Sequence, residues 1–104
     1  MPNNLTKRQL VQTIYEGKDY KQDEIRVIVQ ETLDLIADTL ASGKGVELRN
    51  FGIFELQVRK ARMGRNPKIP GSSFHIPARA VVKFRAGKEL KRKLDQLDLD
   101  QLDS

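Results

Sequence analysis

The chain has no cysteine and a single histidine, His75. Without thiols it can form neither a disulfide nor a thiolate metal site, and it has no cysteine nucleophile. His75 has no second imidazole with which to share a metal ion or a proton relay, and the sequence contains no glycine-rich phosphate loop. No apolar run approaches the roughly 20 residues of a membrane-spanning helix. The first residues, Met-Pro-Asn-Asn-Leu-Thr-Lys-Arg, lack the apolar stretch of a secretory signal. These absences point away from an enzyme, a metal or cofactor site, a small-molecule substrate and a membrane, and towards a soluble cytoplasmic protein. A length of 104 residues suits one domain. So small a domain buries a limited share of its surface, which makes a second subunit an expected source of stability.

Positive charge is abundant and unevenly placed. Residues 1–58 hold 7 Lys/Arg and 9 Asp/Glu, residues 59–93 hold 12 Lys/Arg against Glu89 alone, and residues 94–104 hold four Asp and no base. The three segments carry −2, +11 and −4 within a net charge of +5. A block this basic beside a near-neutral body suits a polyanionic partner. A cationic surface kept for solubility is the other reading of the same charges.

Helical spacing fills the first half of the chain. Thr6 and Gln9 stand at capping-box distance, Leu10, Val11 and Ile14 form a short apolar face, and Gly17 closes it. A longer helix is predicted over residues 21–42, with Ile25, Ile28, Val29, Thr32, Leu33, Ile36 and Leu40 on one stripe and Gly43 as the stop. The stripe reads as core, part of it supplied by a second subunit.

From Gly45 onward the apolar period becomes two. Val46-Glu47-Leu48 reads as a short strand, and Arg49-Asn50 as a turn in which Asn tolerates positive φ. Further strands are predicted over residues 53–62 and 74–84. The second alternates Phe74, Ile76, Ala78, Ala80, Val82 and Phe84 against His75, Arg79 and Lys83. Residues 64–73, rich in Gly, Pro, Asn and Ser, join the two strands, and a last helix is predicted over residues 87–94. The fold class is α+β: a two-helix dimerisation body, a three-stranded antiparallel sheet with a long β-ribbon arm, and a short C-terminal helix.

The arm, about residues 56–81, carries the functional signal. Two strands of about ten residues reach about 30 Å, further than two short helices can cover. The far half has few apolar side chains and holds Arg59, Lys60, Arg62, Arg65 and Lys68 instead. An isolated hairpin is marginal in water, so a long basic ribbon gains most by wrapping something anionic, and a two-stranded ribbon can enter a DNA groove. Pro67, beside Arg65 and Asn66, either shapes the apex or serves as an apolar wedge between base pairs.

Several strings resemble the HU and integration host factor family of bacterial DNA-bending proteins. They are Asn50-Phe51-Gly52-Ile53-Phe54, Arg62-Met63-Gly64-Arg65-Asn66-Pro67, Ile76-Pro77-Ala78, and Phe84-Arg85-Ala86-Gly87-Lys88-Glu89-Leu90-Lys91. The likeness runs from about Thr6 to Leu94. It implies an intertwined dimer, with itself or with a related subunit, whose two arms embrace the minor groove of double-stranded DNA. The implied role is in nucleoid organisation and in assembling recombination, replication or transcription complexes in the bacterial cytoplasm. Transferred by residue, the resemblance makes Pro67 the intercalating wedge and lines the arm with Arg59, Arg62, Arg65 and Asn66. It places Lys7, Lys88 and Lys91 against phosphates, and Phe51, Phe54 and Phe84 in the core where arm meets body. Lys60, Lys68, His75, Arg79 and Lys83, on or beside the arm, complete the expected DNA-binding set.

Three departures accompany the likeness. Lys68-Ile69-Pro70 between Pro67 and Gly71 is one residue longer than the common spacing, which leaves Ile69 or Pro70 as other candidates for the tip. Asn50 stands where the family usually has glycine. Residues 95–104 form an acidic Leu/Asp tail, expected to be frayed; its leucines could instead follow a partner, or its aspartates compete with DNA. A protein-clasping module and an RNA-binding member of the same fold stay open as alternatives.

Overall fold

A computed structural model describes residues 4–102; the parts of the N-terminus and tail at 1–3 and 103–104 lie outside the described residues. Helix α1, Lys7–Tyr15, begins with the predicted capping box. The Thr6 hydroxyl accepts from the Gln9 N–H at 3.2 Å, and Gln9 Oε1 accepts from the Thr6 N–H at 3.1 Å. Two of the amide hydrogens exposed at a helix start are thereby satisfied. Helix α2, Gln22–Ala41, packs on α1, and Val11 and Ile25 are the buried apolar side chains among the described residues.

Strands β1, Val46–Leu48, and β2, Gly52–Arg59, form an antiparallel hairpin in which Asn50 adopts the expected positive φ of 69°. β2 also pairs with β5, Arg79–Ala86, giving the sheet order β1-β2-β5. Gly52 is required where it stands. A Cβ there would lie 2.5 Å from the Phe84 ring and 2.7 Å from the Arg85 carbonyl oxygen. Its absence lets Phe84 lie across the strand, with ring centroids 4.9 Å from Phe54 and 5.5 Å from Phe51.

Beyond the sheet the ribbon continues as β3, Arg62–Arg65, paired with β4, Ser73–Ile76. The two long strands predicted from alternation are thus each interrupted, at residues 60–61 and 77–78. The register explains the gap. Arg59 faces Arg79 on one side of it and Arg62 faces Ile76 on the other, so no residue is inserted and Pro77 falls opposite Ala61. Proline has no N–H to offer the ladder. From Gly52 to Arg65 the ribbon spans about 45 Å at ~3.3 Å per residue.

Helix α3, Lys88–Asp95, starts at Gly87, whose N–H donates to the Phe51 carbonyl at 2.8 Å and ties the helix to the sheet. In the tail, Leu99–Leu102 forms one helical turn, α4, and Asp98 Oδ1 accepts from the Asp100 N–H at 3.0 Å.

One chain does not close its own core. The radius of gyration is 19.3 Å, against about 13 Å for a compact domain of this length. The accessible surface is 9449 Å², against about 6,000 Å² for a folded monomer of this mass. Leu33, Phe51 and Phe84 are 45%, 49% and 41% exposed. Large apolar side chains left this exposed suit an interaction face.

Candidate nucleic-acid interface

Mid-ribbon, the interruption gathers four cations. Arg59, Lys60, Arg62 and Arg79 line one concavity with Ala61 and Val81. Arg59 and Arg79 are direct cross-strand partners, and like charges so placed repel one another. The ion pairs among the described residues are Arg26–Asp23, Arg85–Glu55 and Arg92–Glu89. None involves an arm cation, so no ion pair among the described residues offsets the repulsion between Arg59 and Arg79.

Strand alternation divides the arm's charges between faces. On β3 and β4, Arg62 shares a face with Gly64, Phe74 and Ile76, whereas Arg65 shares the other with Met63 and His75. The ribbon is therefore cationic on both faces. A flat anionic surface could engage only one of these; the two phosphate walls of a groove can engage both.

The apex consists of two successive turns. Ile69 N–H donates to the Asn66 carbonyl at 3.2 Å, and Ser72 N–H donates to the Ile69 carbonyl at 3.0 Å. Each turn has proline in its second position, Pro67 in the first and Pro70 in the second, where the fixed φ of the ring fits. Gly71, at φ 84°, supplies the positive angle of a type II turn. Asn66 Oδ1 accepts from the Lys68 N–H at 2.9 Å and braces the first turn. Pro67, Lys68, Ile69 and Pro70 are all exposed.

The remaining expected residues lie on the body. Lys7 Nζ donates to Gln30 Oε1 and links α1 to α2. Lys83 faces Glu55 across the sheet, while Glu55 receives Arg85 at 2.7 Å. Lys88 and Lys91 lie three residues apart on one side of α3, at the ribbon's base and about 45 Å from its tip. Nothing shorter than an extended polyanion spans both groups.

A family model for bacterial DNA-binding proteins matches residues 5–95. A probable DNA-binding protein HU from Chlamydia trachomatis is 38% identical over 91 residues, 88% of this chain and 91% of that protein. Integration host factor subunit beta from Laribacter hongkongensis is 41% identical over 92 residues, 88% of this chain and 92% of that protein. Anabaena HU, from its cocrystal structure with DNA, superposes with a TM-score of 0.77 at 35% identity, over 88% of this chain and 99% of that one. The chain belongs to the HU and integration host factor family. These are architectural DNA-binding proteins, not enzymes, and they form dimers.

Two features of the arm do not follow from residue types. The far half has few apolar side chains, yet Gly64 is buried beneath the Phe74 ring and Ile76. A Cβ at Gly64 would lie 2.7 Å from the ring, so glycine makes room for an aromatic across the strand. The tandem turn was the second feature, and its signal was the Ile-Pro-Gly-Ser string. Arg92 and Lys93 also join Lys88 and Lys91 on α3, extending the basic end of the body. Phe74 is itself 50% exposed. Amide exchange is expected to be fast from Gly64 to Ser73 in free protein and at least about tenfold slower with DNA. Equal protection in both states would show that the arm is ordered before binding.

Proposed function

We propose that the dimer bends double-stranded DNA by laying one ribbon from each subunit in the minor groove and inserting an apolar tip between base pairs. The observation that carries this reading is the ribbon's unpaired cations on both faces. Arg59, Lys60, Arg62 and Arg79 bind phosphates along the groove walls, and Lys88, Lys91 and Lys7 hold the flanking duplex on the body. Arg65, Asn66, Lys68 and His75 work near the apex, with Lys83 at the base. The minor groove presents acceptors at adenine N3 and thymine O2. Asn66 suits it, because its side-chain Oδ1 accepts from the Lys68 N–H and its side-chain NH2 is left to donate.

Pro67 inserts and holds the kink. Apolar wedges of this kind are general among minor-groove architectural proteins, HU and integration host factor among them. The role is DNA organisation in the bacterial nucleoid, and the assembly of recombination, replication or transcription complexes on bent DNA.

Pro67→Ala keeps every charge. Affinity for straight duplex is expected to stay within about twofold, as for a surface substitution, while the bend measured by energy transfer between duplex ends falls. A variant that bends as sharply as the parent removes Pro67 from the wedge. The same titrations on duplex RNA, and at several salt concentrations, test the alternatives. Equal binding to RNA would favour shape reading of A-form helices, and a flat salt response would favour protein clasping.

A further inference from the structure

We infer that Ile69 is a second insertion residue, so that each arm enters DNA with a two-pronged tip, Pro67 and Ile69. This rests on the minor-groove reading above and deepens it. Ile69 is the corner shared by the two apical turns. Its N–H closes the first turn on Asn66 and its carbonyl receives Ser72 from the second, so both backbone polar groups are satisfied within the loop. Turn positions favour Gly, Asn, Asp, Ser and Pro, and nothing in the turn chemistry calls for isoleucine. Its side chain is 57% exposed at the far end of a 62 Å molecule, with the Phe74 cap serving Gly64 instead. At the tip of an arm read as entering a DNA groove, an exposed apolar side chain is placed where a base step can receive it.

The geometry suits a base step. Pro67 and Ile69 are two residues apart in one turn, so their Cα atoms lie within about 7.6 Å, about two base steps of 3.4 Å each, and the two prongs can address the same step or its neighbour. Isoleucine is β-branched and stiff at χ1, as a wedge must be. Lys68 stands between the two prongs in sequence and brings a cation to the phosphates beside the opened step. Ile69 also falls within the stretch that is one residue longer than the common family spacing, so the second prong belongs to this chain's own apex.

The test uses the full-length protein with Ile69→Ser, Pro67→Ala, the double variant and Ile69→Leu. Bend is read by end-to-end energy transfer, and unstacking by 2-aminopurine placed at the kinked step. Ile69→Ser is expected to reduce both signals by an amount comparable with Pro67→Ala, the double variant to reduce them further, and Ile69→Leu to restore the parent values. If Ile69→Ser behaves as the parent while Pro67→Ala straightens the DNA, the second prong is refuted and the proline wedge stands. If all variants bend as the parent, both readings fail. If Ile69→Leu is as impaired as Ile69→Ser, Ile69 shapes the turn and does not insert.

Discussion

Replacing Arg59 and Arg79 together by alanine is expected to weaken DNA binding steeply and to stabilise the free protein slightly. The two guanidinium groups face one another across the ribbon with no carboxylate in an ion pair to either. In the free state their repulsion costs roughly 0.2–1 kcal/mol, and removing it should raise the unfolding midpoint by a small, measurable amount. On the proposed reading, phosphates of the bound DNA take the place of the missing counterions. A homodimer loses four cations, so the slope of log K against log salt should fall by about four, at roughly 0.9 per phosphate. Arg26→Ala is the control: Arg26 already pairs with Asp23 at 3.0 Å on α2, and the slope should not move. Anisotropy titrations of a labelled duplex between low and moderate salt give both numbers. An unchanged slope in the double variant would take the mid-ribbon cluster out of the interface.

Local chemistry in the sequence anticipated local structure closely. The Thr6/Gln9 pair marked the start of α1, Asn50 marked the positive φ between β1 and β2, and Gly87 marked the entry to α3. Each is decided within four residues, where capping and turn geometry leave few options. The interruption at Pro77 was equally visible as a proline. The unbroken apolar alternation from Phe74 to Phe84 outweighed it, because alternation reports which face a residue takes and is silent about the hydrogen-bond ladder.

The covering of Gly64 by Phe74 was not legible. Which residues face each other across a ribbon depends on the length and type of the turn, and the apex here contains two turns, where the turn residues of 64–73 alone suggest one loop. The candidate DNA-binding set shows the same limit. Charge counting found the cations of the arm, but only the register separates Arg59 and Arg79, opposed on one face, from Arg62 and Arg65, which point to opposite faces.

The largest effect on folding is expected from Leu33→Asp. Considered in one chain, Leu33 is 45% exposed, and a surface change of this kind alters stability by no more than about 0.5 kcal/mol. If the α2 stripe of Val29, Leu33, Ile36 and Leu40 is where the subunits of the dimer meet, as its helical spacing suggests, the same position is core. Truncating a buried leucine there costs roughly 2–5 kcal/mol, and an unpaired carboxylate adds its desolvation to that. A small dimer has little stability to spare, so at micromolar concentration Leu33→Asp should give neither a folded far-UV circular dichroism spectrum nor a sedimenting species of twice the 11.9 kDa chain mass. Leu35→Asp is the matched control. Leu35 is more exposed still, at 68%, and lies two residues, about 200° of helical turn, from Leu33. It should leave the dimer, its spectrum and its DNA affinity unchanged. If Leu33→Asp instead sediments as a folded monomer, the exposed apolar face of α2 is not what holds this fold together.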